Sequence, residues 1–277
     1  MHKAQQKTIL ITGCSSGIGR ETARILRDHD FHVVASARKA SDVIELERRG
    51  FETLLLDLDD SLSIQSAVEY IQTNHPNLFG LINNAAFGQP GAVEDLDRAT
   101  LRAQFETNVF GTHELTRHLI PLLRQQTDAR IIQISSVLGF VALPLRGAYV
   151  ASKYALEGLS DTLRLELSNT NIKISLIEPG AIDTQFRANA LIKLQQNIEI
   201  EQSRHKPNYT LALQRLSRAE PARFSASSER VSKDILHALT AKRPKLRYRI
   251  TLPTIIIAQL KRILSTRMLD KIIGNNG

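Results

Sequence analysis

Residues 8–19 read Thr8-Ile9-Leu10-Ile11-Thr12-Gly13-Cys14-Ser15-Ser16-Gly17-Ile18-Gly19, and they decide the fold. A short apolar run of strand type stops at a glycine-rich turn, and the turn opens directly on a helical pattern over 17–27. Glycines in that place permit a tight bend, let the backbone approach a pyrophosphate, and allow the helix to pack close to the strand. The helix N-terminus adds free N–H groups and the positive end of its dipole, both suited to an anion. The spacing is G-x-x-x-G-x-G and not the commoner G-x-G-x-x-G. A glycine-rich turn can also be purely structural. Here strand, turn and helix follow in the right order, so Gly13, Ser15, Ser16, Gly17, Ile18 and Gly19 are expected to cradle the phosphates of a dinucleotide.

Outward from that motif, strand candidates at 8–12, 32–37, 53–57, 80–83, 130–134 and 173–177 alternate with helical stretches such as 17–27, 61–73, 100–123 and 149–167. Strand then helix, repeated six times, is the pattern of an α/β fold: a Rossmann-like, doubly wound parallel sheet with helices on both faces. The strands are nearly continuous apolar runs, as strands buried on both faces must be. With no internal repeat and no low-complexity linker, 1–277 reads as a single domain. Two regions break the alternation. The stretch at about 185–221 is longer and more polar than a connection should be, and is read as a substrate lid. Beyond 240 lies a basic extension, 241–277, with a strand candidate at 246–250 and a final helix from about 254 to 273.

Composition narrows the class. A chain of 277 residues, 42% hydrophobic, can bury a large core. Its net charge of +8 is unevenly placed: 241–277 holds nine Lys/Arg against Asp270 alone, while 1–240 is balanced. The body is therefore not expected to bind nucleic acid. The polar start and the short apolar run at 8–12 do not resemble a signal peptide, and no apolar run approaches the roughly 20 residues of a membrane span. Cys14 is the sole cysteine, which excludes an internal disulfide and offers no metal cluster. No metal is expected, and the compartment is expected to be the reducing cytoplasm.

The end of the second strand separates the two nicotinamide cofactors. An acid there would hydrogen-bond the ribose 2′-OH of NAD. This strand ends Ala35-Ser36-Ala37-Arg38-Lys39. Arg38 can grip a 2′-phosphate in bidentate fashion, with Ser15 or Ser36 adding a hydroxyl donor. Arg38 and Lys39 could equally be solvated residues opening a loop, but the missing acid still argues for NADP.

Tyr149 and Lys153 stand four apart in a strong helical pattern and share one face. A tyrosine hydroxyl titrates at about 10, and a neighbouring ammonium favours its phenolate. Tyr149 could then exchange a proton with a substrate oxygen. Y-x-x-x-K alone is usually a mere surface pair; its surroundings give it weight. Ser135-Ser136 closes the fifth strand at the sheet edge where ligands bind, and Ser136 could orient a substrate oxygen, although turn chemistry alone explains many such pairs. Asn108 sits inside a helical pattern, where asparagine is unfavourable without a task. Asn83-Asn84-Ala85 ends the fourth strand at the same edge.

These motifs together resemble the short-chain dehydrogenase/reductase family in its single-domain form, closely over 8–184 and loosely beyond. They are TGCSSGIG at 12–19, Asp57-Leu58, NNAA at 83–86, Asn108, ISS at 134–136, YVASK at 149–153 and PGAIDT at 179–184. The resemblance implies Tyr149 as general acid/base, Lys153 as ribose-binding residue that lowers the tyrosine pKa, Ser136 as substrate-orienting donor, and Asn108 as holder of a proton-relay water. It implies Asp57 and Leu58 around the adenine, Asn84 and Ala85 at a ribose, Ile182 and Thr184 at the nicotinamide carboxamide, and Pro179 among the other cofactor contacts. Ala86 stands where the family usually has glycine.

Within the family, ISSVLG, IEPG and the arginine after the second strand are similar to the branch of 17β-hydroxysteroid, retinol and aldehyde enzymes. An apolar aldehyde, ketone, or steroid- or retinoid-like substrate is the expectation, with Phe186, Leu191, Leu194 and Tyr209 offered by the lid. A homodimer or homotetramer is expected. The alternative function is a non-catalytic NADP-binding regulator, whose mark would be loss of Tyr149 or Lys153; both are present. In the final helix Ile256, Ile257, Leu260, Ile263, Leu264 and Met268 fall on one arc. That arc is expected to dock on protein, with peripheral membrane contact as the rival reading.

Overall fold

Apolar strands without alternation need cover on both faces, and helices supply it on each. The computed structural model describes residues 6–217 and 224–274; positions 218–221 of the expected lid and 275–277 of the extension lie outside the described residues. The strands are β1 (Thr8–Ile11), β2 (His32–Ala37), β3 (Glu52–Leu55), β4 (Leu78–Asn83), β5 (Ala129–Ile134), β6 (Ile172–Pro179) and β7 (Arg247–Ile250). They form one sheet in the order β3-β2-β1-β4-β5-β6-β7, every neighbouring pair parallel. The order reverses between β1 and β4, which opens a crevice at their C-terminal ends.

Alternate side chains divide the core in two. Ile9 and Ile11 point to one face, where α1 (Gly17–Arg27) contributes Leu26 and α9 (Ser228–Thr240) contributes Ile235 and Leu239. Leu10 points to the other, where α3 (Ser61–Asn74) and α5 (Thr112–Arg124) supply Ile64, Ile71, Leu115 and Leu119. Each such aliphatic chain stabilises the fold by about 1.5–3 kcal/mol relative to exposure. The edge strand β3 is tied at its N-terminal end, where Glu52 accepts hydrogen bonds from Tyr70 (2.7 Å) and contacts the His32 and His75 rings (2.6 Å each).

The helix expected over 100–123 is three pieces. After α2 (Ala40–Arg48) and α3, α4 (Arg98–Phe105) runs into a π-helical turn, Glu106–Gly111, before α5. Periodicity cannot reveal such a turn, because one inserted residue leaves the apolar stripes on either side intact. The cause lies in packing. Gly111 presses on the backbone of Leu58 so closely that a Cβ there would lie 1.8 Å from the Leu58 carbonyl oxygen. Asn108 sits at the middle of the turn, fully buried.

The stretch read as a lid is largely helical. Following α6 (Gly147–Glu166), α7 (Phe186–Asn197) and α8 (Lys206–Ser217) pack Leu194, Ile198, Leu216 and Tyr209 into a small core of their own. Tyr209 is not a free substrate contact: its hydroxyl accepts from the Ala92 N–H (2.7 Å) and donates to Asp95 (2.6 Å).

The basic extension divides into two parts. Within β7, Arg247 bonds Glu157, Glu178 (2.5 Å) and Asp161 (2.5 Å), and Arg249 bonds Glu178 (3.0 Å). These cations answer acids of α6 and β6, so they are structural and not a surface field. Beyond β7, the single helix expected from 254 is α10 (Leu252–Ile263) and α11 (Thr266–Gly274), broken at Leu264-Ser265. The break resets the helical phase, and the expected apolar arc does not dock as a unit. Thr254, Ala258 and Ile273 are buried, with Ile257 and Leu269 partly covered against Leu138 and Val141. Ile256, Ile263 and Met268 face outward.

Gly111→Ala should lower stability by about 1–3 kcal/mol, because the new methyl meets backbone that cannot yield. Gly158→Ala, where an added Cβ meets nothing within 4 Å, should raise stability by up to about 1 kcal/mol. Urea midpoints of the two variants check both signs. Equal effects would show that the π-helical turn does not owe its position to Gly111.

Candidate active site

The β1–α1 turn needs its glycines. Gly13 and Gly17 have φ of 71° and 57°, and a Cβ at Gly13 would lie 2.8 Å from the Ala85 Cα. At Gly19 it would strike the Gly13 carbonyl oxygen at 2.3 Å. Thr12 locks the turn to β4: its hydroxyl accepts from the N–H of Asn84 and of Ala85, each at 2.9 Å. The Asn84 amide donates to the Thr12 and Gly13 carbonyls, both at 2.9 Å, so this side chain shapes the cradle from beneath. Ser16 precedes α1 without capping it, and the first turn of α1 carries no acid. Its N–H groups are left for an anion, and this cradle fits a dinucleotide pyrophosphate. Ser15 is exposed on the rim and Ile18 half-buried behind it. Cys14 is buried, which pushes its thiol up to about 12 and leaves it inert.

Around the cradle lie the other residues singled out from sequence. Arg38 is exposed beyond β2, within electrostatic reach of Asp59. Ser36 is buried in β2 with its hydroxyl unpaired, so of the two hydroxyls considered for a 2′-phosphate, Ser15 is the one at the surface. Asp57 and buried Leu58 follow β3; the Asp57 N–H donates to Ser63 (2.9 Å) and its carboxylate accepts from the Asp59 N–H (3.1 Å). Pro179 ends β6. Thr184 closes back on the cradle, its methyl lying where a Gly17 Cβ would be at 3.0 Å. Ile182 is pinned by a bridge to Ala226, where the Asp183 N–H donates to the Ala226 carbonyl (3.1 Å).

At the C-terminal ends of β4 and β5 the structure brings Ser136, Tyr149 and Lys153 together. The Lys153 ammonium is buried, donates to the Ile134 carbonyl oxygen (2.7 Å), and lies 5.8 Å from the Tyr149 ring centre. Burial lowers its pKa to about 8, opposed by the negative charge of Glu157. Burial also pushes the Tyr149 hydroxyl up to about 12, with the Ser136 hydroxyl pulling it down. Ser136 starts a 3-10 turn and accepts from the Leu138 N–H (3.1 Å). Asn108 clamps the wall: its amide donates to the Phe87 carbonyl (3.0 Å) and to the Ser152 hydroxyl (3.1 Å), while its oxygen accepts from the Phe87 N–H (3.2 Å). Ser152 in turn donates to the Tyr149 carbonyl (2.8 Å), so Asn108 also steadies the helix that carries the tyrosine. Phe186 stands edge-on to Tyr149, ring centres 5.4 Å apart.

Sequence reasoning missed Ser152, Phe87 and Glu157. Glu157 had a legible signal, since it repeats the four-residue step that joins Tyr149 to Lys153 and continues the same helix face. Phe87 had none, because its part is played by backbone atoms.

The family model for short chain dehydrogenases matches residues 7–194. An uncharacterized oxidoreductase of Escherichia coli strain K12, YbbO, is 42% identical over 272 residues, 98% of this chain and 95% of that protein. The NADPH-dependent 3-dehydrocapnine reductase of Ornithobacterium rhinotracheale is 32% identical over 278 residues, 95% of this chain and 94% of the other. Among solved structures, a short-chain dehydrogenase from Streptomyces avermitilis superposes with a TM-score of 0.76 at 26% identity, covering 94% of this chain and 96% of that one.

The buried lysine has a consequence for stability. The unfolded chain keeps this proton up to the ordinary value of 10.5, whereas the folded chain releases it near about 8. Between those values the unfolded state binds more protons, so this group makes stability rise with pH; below about 8 its full burial cost is present. Lys153→Met should therefore be most stabilising near neutral pH, and its advantage should shrink towards about pH 10. Denaturant midpoints of both proteins across that range test this. A difference independent of pH would show that the ammonium is not desolvated.

Proposed function

The chain belongs to the short-chain dehydrogenase family, and from that premise we propose that it is an NADP(H)-dependent oxidoreductase acting on an apolar carbonyl or the matching secondary alcohol. The observation that carries this reading is the meeting of Ser136, Tyr149 and Lys153 beside the glycine cradle, with the buried ammonium 5.8 Å from the tyrosine ring. Gly13, Ser15, Ser16, Gly17, Ile18 and Gly19 would hold the pyrophosphate; Asp57 and Leu58 the adenine; Asn84, Ala85 and Lys153 the riboses; Ile182 and Thr184 the carboxamide, with Pro179 beside them at the end of β6. The bound dinucleotide supplies or accepts the hydride.

The side chains do the rest. Ser136 orients the substrate oxygen by donating a hydrogen bond. In the reducing direction Tyr149 gives its hydroxyl proton to that oxygen, which becomes the alcohol as its carbon gains the hydride. The phenolate left behind needs a cation. Lys153, titrating near about 8, is mostly charged at neutral pH and stands beside it. Phe186, edge-on to Tyr149, shields the reacting carbon from water. The preference for NADP rests on Arg38, on the absence of an acid at the end of β2, and on the NADPH dependence of the 32%-identical relative. An apolar aldehyde, ketone, or steroid- or retinoid-like compound suits a wall built from Leu138, Val141, Phe186 and Val150.

Two measurements test this. With NADPH and a medium-chain aldehyde, Tyr149→Phe should lose about 10²–10⁴-fold in turnover while cofactor affinity is kept, since proton transfer is worth that much. An inactive parent that still binds NADPH would favour the non-catalytic regulator instead. Arg38→Asp should weaken NADPH and improve NADH relative to it, because the 2′-phosphate loses a cation and a 2′-OH gains an acceptor. Titration of both cofactors into both proteins decides, and an unchanged preference removes Arg38 from the site.

A further inference from the structure

We propose that α10 and α11 form a seat for an anionic lipid bilayer, with their outward apolar side chains in the headgroup–acyl boundary and Arg262, Arg267 and Lys271 on lipid phosphates. No helix among the described residues is long and apolar enough to cross a membrane, so the contact is with the surface. The apolar side chains are those left uncovered when the helix breaks at Leu264-Ser265: Leu252 is 62% exposed, Ile256 47%, Ile263 78% and Met268 55%. Along the outward side of α10 runs a groove of about 230 Å³, bordered there by Leu252, Pro253, Ile256 and Leu260. Water gains nothing from such a surface, and a monomer rarely keeps one without a partner.

Charge says which partner. Arg262, Arg267 and Lys271 are exposed and pair with no carboxylate among the described residues. Asp270 is the sole acid in 241–277. Arg247 and Arg249 are already neutralised by Glu157, Asp161 and Glu178, and Lys261 is bonded to the Phe140 carbonyl. The three free cations are thus a distinct set on the outward helices. A second copy docked here by a two-fold axis would set these cations against themselves, with Asp270 the single acid of each extension to answer them. A bilayer rich in acidic lipid offers both phosphates and an apolar layer at the right depth.

Position gives the seat a use. The inner side of the same helices packs on the catalytic wall: Ile257, Leu269 and Ile273 meet Leu138, Val141 and Tyr149 in one apolar cluster. A chain-bearing substrate could leave the bilayer beside that wall without crossing bulk water. This consequence rests on the reductase reading above; the seating itself does not.

Cosedimentation of the full chain with vesicles of equal parts phosphatidylglycerol and phosphatidylcholine tests the seat. Binding is expected at low salt, weakened at high salt, and absent with pure phosphatidylcholine. Each cation near the surface is worth about fivefold in affinity, so Arg262→Gln, Arg267→Gln and Lys271→Gln together should cost on the order of 100-fold. Ile256→Glu with Met268→Glu should abolish binding, with melting temperature and turnover of a short water-soluble aldehyde unchanged. Absence of binding to the anionic vesicles overturns the proposal. So does binding that ignores both sets of substitutions, or a fall in sedimenting mass of Ile256→Glu with Met268→Glu, which would assign the face to a second copy. Vesicle binding by a protein inactive towards every carbonyl would leave the seat standing and remove only the reductase reading.

Discussion

A buried ammonium organises the centre of this molecule. Lys153 has little water to hydrate its charge, and its ammonium donates to the Ile134 carbonyl at the end of β5. A charge in that position is costly unless opposite charge stands near. Glu157, one helical turn on, supplies it, and Glu157 is itself buried and held by Arg247 of β7. Arg247 then joins Glu178 of β6 and Asp161 of α6, and Arg249 completes the pairing of Glu178. One charge in the site therefore extends through two strands and a helix. Burial raises the Glu157 carboxyl pKa and Arg247 opposes that rise, so the acid that faces Lys153 is sensitive to the arginine behind it.

The same economy of shape governs the glycine turn and its neighbours. Gly13, Gly19 and Gly111 are each in contact with backbone where a methyl would not fit, and each contact joins an element of the site to its neighbour. Gly13 seats the first turn on Ala85, Gly19 seats α1 on that turn, and Gly111 seats the π-helical turn on Leu58. Asn108 is carried into the wall by that turn, where its amide holds both the Phe87 backbone and the Ser152–Tyr149 link. Close backbone packing of this kind is rigid, and it fixes where the Tyr149 hydroxyl stands.

The C-terminal extension serves two ends. Its first part, β7, completes the sheet and sets the charge balance behind Lys153. Its second part lies against Leu138, Val141 and Tyr149 with one side and faces outward with the other. Thr251, with φ of 89°, turns the chain between them, and its hydroxyl meets Thr254 at 3.0 Å where Gly180 leaves room. A β-branched residue held there is strained, as expected where tertiary packing dictates the turn.

The order of strands and helices, the glycine turn, and the Tyr149–Lys153 step were all legible in the sequence, because each rests on periodicity or local backbone chemistry that neighbouring residues set among themselves. The resemblance to the short-chain dehydrogenases added roles to positions but no geometry. What the sequence could not express were matters of long-range packing. The π-helical turn depends on Leu58, some fifty positions away from Gly111 in the chain. The pairing of Arg247 with Glu157 joins residues 90 apart, a separation no local pattern in the sequence can register. The final helix reads from sequence as one continuous amphipathic arc, since a helical wheel assumes an unbroken phase. Only the fold, by docking Thr254, Ala258 and Ile273 and breaking the helix between them, decided which apolar side chains would be buried and which would be left to meet something else.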